Sequence, residues 1–217
     1  MALLPYYIKG VLEAGCDEAG RGPLAGSVFA AAVILPPDAA NPDWLATTGL
    51  DRLNDSKQLN ERTRYELRPL IEQYASAWAV AEVTAEEIDR INILKASILG
   101  MQRALAQLAI QPQHIIVDGN KWKPYVPDGS LLEIPADTVV KGDGKYLSIA
   151  AASILAKTYR DDYMLRLHDE FPQYHWAENK GYPTPAHYAA IKEHGISPYH
   201  RKTFNLKNQE APISTSK

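Results

Sequence analysis

Cysteine occurs once in the 217 residues, as Cys16, so the chain holds no internal disulfide framework and no cysteine-built zinc cage. That cysteine reads as a small buried apolar residue. The six histidines are scattered, which argues against an imidazole zinc site as well. No apolar run approaches the ~18 residues of a membrane-spanning helix. The opening MALLPYYIKG has neither the basic start nor the apolar core of a secretory signal, and the chain is expected to stay in the cytoplasm. A P-loop, a dinucleotide fingerprint, internal repeats and low-complexity blocks are all missing. There is no basic excess either. Lys and Arg number 23 against 26 Asp and Glu, for a net charge of −3, which argues against coating nucleic acid by bulk charge.

What is present describes an ordinary soluble core. With 46% hydrophobic and 23% charged residues, the chain is expected to form one domain over residues 1–207, with a small helical part at about 165–207 and a flexible tail at 208–217. Charge is unevenly spread: residues 180–207 carry five basic residues against Glu193, a local +4 that leaves −7 elsewhere. A basic segment beside an acidic site suits an enzyme acting on a polyanion. The plainer alternative is a solvated basic helix face.

The chemistry concentrates in Gly15-Cys16-Asp17-Glu18-Ala19-Gly20-Arg21-Gly22-Pro23. Apolar runs at residues 11–16 and 27–35 flank it and read as buried strands. Adjacent side chains on a strand point to opposite faces, so Asp17 and Glu18 cannot both be surface charges in a sheet covered on both sides. A buried carboxylate needs a cation, and a divalent metal is one remedy. Gly20 and Gly22 permit a tight turn and close approach of a ligand to the main chain, while Arg21 offers a fork for phosphate oxygens. A surface turn closed by a Glu–Arg pair is the alternative reading.

Further along, residues 36–49 are rich in Pro, Asp, Asn and Thr and read as a surface excursion. A helix is expected over residues 60–74, with Lys57 at its start as a candidate anion contact. Residues 75–83 read as a strand, Thr84 and Glu87 as a capping box, and residues 91–108 as one helix. His114-Ile115-Ile116-Val117 reads as a buried strand delivering Asp118 at its C-terminal end, where open α/β sheets gather ligands. Residues 121–129 interleave basic and aromatic side chains in a loop. Residues 131–140 read as a strand interrupted at Pro135 and ended by a third acid, Asp143, on a glycine turn. A long helix follows over residues 146–171, its small residues allowing close packing on the sheet. The charged trio Arg160, Asp161 and Asp162 within it is expected to be solvated. A last helix spans residues 185–194, capped by Thr184 and closed by Gly195.

Taken together, seven short motifs in one order resemble the bacterial type 2 ribonuclease H family, ribonuclease HII. They are Asp17-Glu18-Ala19-Gly20-Arg21-Gly22-Pro23, Asn54-Asp55-Ser56-Lys57, Asp89-x-x-Asn92-Ile93-Leu94 and Val117-Asp118-Gly119-Asn120. The others are Lys141-Gly142-Asp143, Ala151-Ala152-Ser153-Ile154-Leu155-Ala156-Lys157 and Lys180-Gly181-Tyr182-Pro183-Thr184. The resemblance implies an α/β ribonuclease H-like fold: a mixed five-stranded sheet, helices on both faces and a small C-terminal helical part. It implies Asp17, Glu18, Asp118 and Asp143 as catalytic carboxylates holding Mg²⁺ or Mn²⁺, which the hard oxygen donors also favour. Hydrolysis of RNA in RNA–DNA hybrids is implied, including single ribonucleotides in duplex DNA cut on their 5′ side, with 3′-hydroxyl and 5′-phosphate products by a two-metal mechanism. By the same resemblance the main chain of Gly20, Arg21 and Gly22 and the hydroxyl of Tyr182 read the ribose 2′-hydroxyl. Lys57, Lys180 and Ser153 are candidate phosphate contacts. A monomer is expected, and tethering to a replication clamp is left open.

Two other readings share these features. A metal-dependent DNA nuclease or integrase of the same fold would use the same acids, and a catalytically silent hybrid-binding module would keep the groove without the chemistry. Tyr182 and the Gly-Arg-Gly turn disfavour the first, and the intact acids disfavour the second.

Overall fold

The structure, a computed structural model, describes residues 3–206; the tail expected at residues 208–217 lies outside the described residues. Strand β1 (Glu13–Ala19) pairs antiparallel with β2 (Val28–Ile34), Cys16 standing opposite Ala32. All seven residues of β2 are buried, as a strand covered on both faces requires. The excursion at residues 36–49 is more ordered than its composition suggests. A 3-10 turn (Pro37–Ala40) leads into helix α1 (Pro42–Thr48), which Asn41 caps by accepting from the Asp43 amide and Gly49 ends at φ 75°. The Pro, Asn and Gly that read as loop signals are helix punctuation here.

Helix α2 (Glu61–Tyr74) begins at the Asn60 cap and buries Leu67 and Ile71. Strand β3 (Ala77–Val83) alternates between buried and less buried positions. Helix α3 (Ala85–Ile91) opens on the Thr84–Glu87 capping box. The single helix expected over residues 91–108 is interrupted. The chain breaks at Asn92, φ 69°, and restarts as α4 (Ile93–Ala106) with the Asn92 side chain accepting from the Lys95 amide. Apolar spacing runs through the break, so periodicity alone cannot reveal it; asparagine tolerates positive φ and supplies a cap at once.

Strand β4 (His114–Asp118) is followed by a shorter β5 (Ala136–Val139) than expected. Leu131 and Leu132 are 99% and 78% exposed, and the chain joins the sheet only after Pro135. Helix α5 (Leu147–Glu170) runs for 24 residues, then α6 (Trp176–Asn179) and α7 (Pro185–His194) form the C-terminal helical part.

The sheet order is β3-β2-β1-β4-β5, antiparallel through β1, β2 and β3 and parallel through β1, β4 and β5. Helix α4 covers one face, with Ile98, Met101 and Ala104 against Ala14, Cys16, Ala30 and Ala32. Helices α2 and α5 cover the other, with Leu67, Ile71, Ala151 and Ile154 against Ala31 and Val33. The alternation of β2 residues between the two clusters follows the pleat. A Cβ on Gly15 would run into the backbone of Ser148, so the first turn of α5 lies directly on β1 and anchors the strand that carries Asp17.

One expectation is reversed inside α5. Arg160 and Asp161 are each 1% exposed, and Asp162 accepts from Tyr65 Oη and Arg68 Nη1, both at 2.6 Å. The helix face that looks solvated in sequence passes beneath residues 20–27, and Arg160 donates to the carbonyls of Ser27 (3.1 Å), Lys180 (3.1 Å) and Ala25 (3.3 Å). Asp161 is paired with Lys157.

Candidate active site

Parallel pairing sets Cys16 of β1 against Val117 of β4. The next residues along, Asp17 and Asp118, therefore leave neighbouring strands side by side. Strand β5 pairs with β4 as far as Val139 opposite Asp118. Lys141 at φ 57° then turns the chain into the 3-10 turn Gly142–Gly144, which brings Asp143 to the same end. The Gly142 amide donates to Asp118 Oδ1 at 2.6 Å, locking that turn onto β4.

The electrostatics follow from this gathering. Burial, then the charges of Glu18 and Asp118, hold the Asp17 carboxyl well above its usual range, although it accepts from the Glu18 amide at 2.7 Å and from Ser153. Glu18 is also raised, chiefly by burial; Arg21 opposes this through a contact of 3.2 Å, and Asp118 adds to it. The Glu18–Arg21 pair foreseen as the plain alternative thus exists within the acid cluster. Asp143, 4% exposed, is pushed up to about 6 by burial and by Asp118 and Asp55. Asp55 is lowered: burial works against it, but the Lys57 amide at 2.9 Å, Gln58 and Asp143 outweigh that.

Lys57 stands in the turn before α2 rather than at the helix start, because the helix opens four residues later at Glu61. Its ammonium lies 3.8 Å from Asp143 Oδ2. Burial disfavours its charge, but the fields of Asp143, Asp17, Asp55 and Asp118 hold it above the ordinary value. A concavity of about 540 Å³ is lined by Asp55, Lys57, Asp118, Asn120, Lys141 and Asp143, and a smaller one of about 60 Å³ by Glu18, Arg21, Asp118 and Lys121. Asp118 borders both.

Every donor in the cluster is a hard oxygen, the set that suits Mg²⁺ or Mn²⁺. Among the described residues no group of three or more His, Cys, Asp or Glu side chains is drawn tightly enough to hold an ion unaided. Such ions keep several waters and complete their shells with substrate phosphate, so an open arrangement of this kind fits them. Carboxylates raised by burial and mutual repulsion, with a lysine reaching toward them, form a site whose crowded negative charge a bound cation would offset.

The sugar-reading candidates also meet. Gly20 is buried at φ 97°, and a Cβ there would strike the Arg160 guanidinium. Gly22 differs. It is exposed, is not at positive φ, and a Cβ would only touch Tyr182 Cε1 at 3.6 Å. Packing explains the first glycine and leaves the second open for a ligand. Tyr182, 40% exposed, is thus beside Gly22. It is fixed there because Gly181, at φ 81°, fits against the Ala25 carbonyl and accepts from the Leu24 amide at 2.8 Å.

Two phosphate candidates sit differently from the expectation. Ser153 is buried, with its hydroxyl 2.7 Å from that of Ser56 and within reach of Asp17, so it orients an acid from below. The Lys180 ammonium bonds the Ala177 carbonyl. Nor do the basic residues of 180–207 form one face: Lys192 and Lys202 are exposed, Arg201 is fully buried, and Lys207 lies outside the described residues. Arg201 donates to the carbonyls of Gly20 (2.6 Å), Arg21 (3.0 Å) and Gly26 (2.9 Å). Sequence reasoning missed Arg160, Arg201, Asp55 and Ser56. The only available signal was that Asp55 and Ser56 lie inside one of the seven motifs; the arginines bond backbone, which leaves no side-chain pattern.

A mixed sheet of this order, with acids converging at the ends of β1 and β4 and after β5, defines a ribonuclease H-like α/β protein. The ribonuclease HII family model matches residues 14–207. Ribonuclease HII of Parabacteroides distasonis is 65% identical over 211 residues, covering 97% of this chain and 98% of that protein. The Bacteroides thetaiotaomicron enzyme is 64% identical over 204 residues, 94% of each. The chain belongs to the ribonuclease HII family. Among solved structures, ribonuclease H2 of Pyrococcus horikoshii aligns with a TM-score of 0.71 at 30% identity, over 89% of this chain and 94% of that one. Bst-RNase HIII in complex with Mn²⁺ shares the fold, with a TM-score of 0.68 at 19% identity over 92% and 69%. No helix among the described residues is long and apolar enough to cross a membrane.

Proposed function

We infer that this chain is an endoribonuclease that hydrolyses the RNA strand of RNA–DNA hybrids and cuts on the 5′ side of single ribonucleotides embedded in duplex DNA. Family membership at 65% identity over nearly the whole chain supports the hybrid substrate. The observation that carries the finer reading is the meeting of two groups along one short stretch: Asp17 and Glu18 with Asp118 and Asp143 on one side, and Gly22 against Tyr182 on the other.

Asp17, Glu18, Asp118 and Asp143 would hold two Mg²⁺ or Mn²⁺ ions. When bound, such ions activate a water and steady the leaving 3′ oxygen of an in-line displacement, leaving 3′-hydroxyl and 5′-phosphate ends. Ser153, bonded to Ser56, orients Asp17 from the buried side. The Gly142 amide fixes Asp118. Arg21, with its side chain half-exposed beside Glu18, and Lys57 offer cationic contacts to the phosphates that flank the scissile bond. The 2′-hydroxyl is the group that distinguishes ribose from deoxyribose; on this reading the amides of the Gly20-Arg21-Gly22 turn and the Tyr182 hydroxyl read it, which the proximity of Tyr182 to Gly22 supports. The enzyme acts as a cytoplasmic monomer.

The test is incubation with Mn²⁺ or Mg²⁺ and a DNA duplex carrying one ribonucleotide, beside an all-DNA control and a chelated sample. Cutting is expected only at the ribonucleotide and only with metal. Equal cutting of both duplexes, or of neither with either metal, refutes the reading.

A further inference from the structure

The segment after α7 returns beneath the Gly20–Gly22 turn, and two adjacent residues on it reach the two halves of the sugar-reading site. Arg201 is the first. Its guanidinium donates to three carbonyls of residues 20–26, and its own amide donates to the Leu24 carbonyl at 2.8 Å. None of its partners is a carboxylate. The peptide bonds here are trans, so N–H and C=O of one peptide unit point oppositely. Holding the Gly20 and Arg21 carbonyls down on Arg201 therefore turns the Arg21 and Gly22 amides to the opposite, open side.

His200 is the second. Its Nε2 lies 3.2 Å from His187 Nε2, and His187 Nδ1 lies 2.9 Å from the Tyr182 carbonyl. A carbonyl only accepts, so His187 carries its proton on Nδ1, and the single lone pair of its Nε2 is shared by the Trp176 indole at 3.1 Å and His200 at 3.2 Å. His200 Nδ1 then accepts from the Ser197 amide at 2.9 Å. The chain of bonds closes with both rings neutral and no ring nitrogen unpaired. The segment is pinned beyond Arg201 by Asp89, which accepts from the amides of Lys202 (2.8 Å) and Thr203 (2.9 Å) and from the Thr203 hydroxyl (2.6 Å). Asp89 opens the Asp89-x-x-Asn92 motif, whose first residue thus anchors this arm.

We propose that Arg201 and His200, held in place by Asp89, are positioning residues for sugar selection: one arm fixes the amides of the Gly20–Gly22 turn through Arg201 and the backbone of Tyr182 through His200 and His187. The arm thereby sets the spacing between the two groups that read the ribose. This rests on the reading of Gly20–Gly22 and Tyr182 given above. A uniform RNA strand presents a 2′-hydroxyl at every step, so a loosened frame still finds one in some register. A single ribonucleotide allows one register only.

The experiment measures kcat and KM for a duplex with one ribonucleotide and for a uniform RNA–DNA hybrid, with the thermal midpoint, in Asp89→Ala, Arg201→Lys and Tyr182→Phe. Asp89→Ala and Arg201→Lys are each expected to lower the ratio of kcat/KM on the single ribonucleotide to that on the hybrid about tenfold, with the Mn²⁺ dependence of hybrid cleavage unchanged. A purely structural role would lower the thermal midpoint and both activities together, leaving the ratio fixed, and that result overturns the proposal. Should Arg201→Lys fail to fold, Asp89→Ala decides alone, because Asp89 is half-buried and outside the sheet core. If Tyr182→Phe leaves the ratio unchanged, the sugar-reading assignment itself is wrong. If Tyr182→Phe lowers it and neither arm variant does, only the role of the arm is refuted.

Discussion

Replacing Asp143 by asparagine tests whether the acid cluster is built for a cation. In the folded chain its carboxyl is pushed from the ordinary 3.8 up to about 6 by burial and by Asp118 and Asp55. The folded state therefore binds this proton more tightly than the unfolded state does. The associated stability is fully present below about pH 3.8 and is lost as the pH rises through about 6. Above that, ionised Asp143 costs the metal-free protein at most about 3 kcal/mol, taking 1.36 kcal/mol per pH unit. The asparagine amide is a neutral near-isostere of the carboxylate and carries no such cost. In chelator at pH 7.5 the Asp143→Asn variant should unfold up to roughly 6–12 °C above wild type, at about 2–4 °C per kcal/mol for a chain of this size. The gap should close toward pH 4. Saturating Mn²⁺ should raise the wild-type midpoint more than the variant's, since the cation repays the charge only where the charge exists. Other ionisable groups titrate in both proteins, and comparing the two at each pH removes them. A variant no more stable than wild type at pH 7.5 in chelator, or a gap that stays constant down to pH 4, refutes the argument.

The two turn glycines separate fold from function. Gly20→Ala forces an L-residue to φ 97° and against Arg160, so it should cost about 1–2 kcal/mol from backbone strain alone, plus the displaced guanidinium, read as a lower urea midpoint. Gly22→Ala meets only Tyr182 at 3.6 Å; its stability should stay within about 0.5 kcal/mol of wild type, while cleavage at a single ribonucleotide falls at least about tenfold. Equal stability losses for the two would remove the case that Gly22 is kept open for a ligand. Asp17→Asn should lower kcat at least about a hundredfold and largely spare duplex binding by a gel-shift assay in Mn²⁺; a kcat near wild type would contradict its role as a metal ligand.

Asp17 and Asp118 were legible because each ends an apolar run at a place where a polar residue needs a reason, whereas Asp143 stood out only on its glycine turn. Asp17 and Asp118 both follow buried strands, and the parallel register of β1 and β4 then makes them neighbours. The helix starts at Thr84 and Thr184 were legible because capping is local chemistry. What sequence could not carry was a contact made to backbone far away along the chain. Arg201 bonds carbonyls some 180 residues away, and carbonyls are the same in every residue. The break at Asn92 escaped because apolar spacing continues on both sides of it, and the 36–49 segment escaped because caps and loops draw on the same residue types. The charged trio of α5 misled for a related reason: Arg160 is buried against carbonyls, and charge composition alone does not distinguish that from solvation.

The placement of these arginines bears on why the turn can be both open and rigid. A loop that exposes its amides to a ligand gives up the internal hydrogen bonds that would order it, and an unsupported glycine turn loses much backbone entropy when it binds. Here the Gly20 and Arg21 carbonyls of the turn are held instead by the buried guanidinium of Arg201, while that of Arg160 holds the carbonyls of Ala25 and Ser27 just beyond it; each planar fork reaches several carbonyls at once. A carboxylate partner for either arginine would be electrostatically easier to bury, but it would draw donors away from those carbonyls. Order is thus supplied from below, and Gly22 remains free of side-chain cover except for Tyr182. In the proposed reading, rigidity on the carbonyl face is the condition that lets the amide face select a sugar by a single hydroxyl.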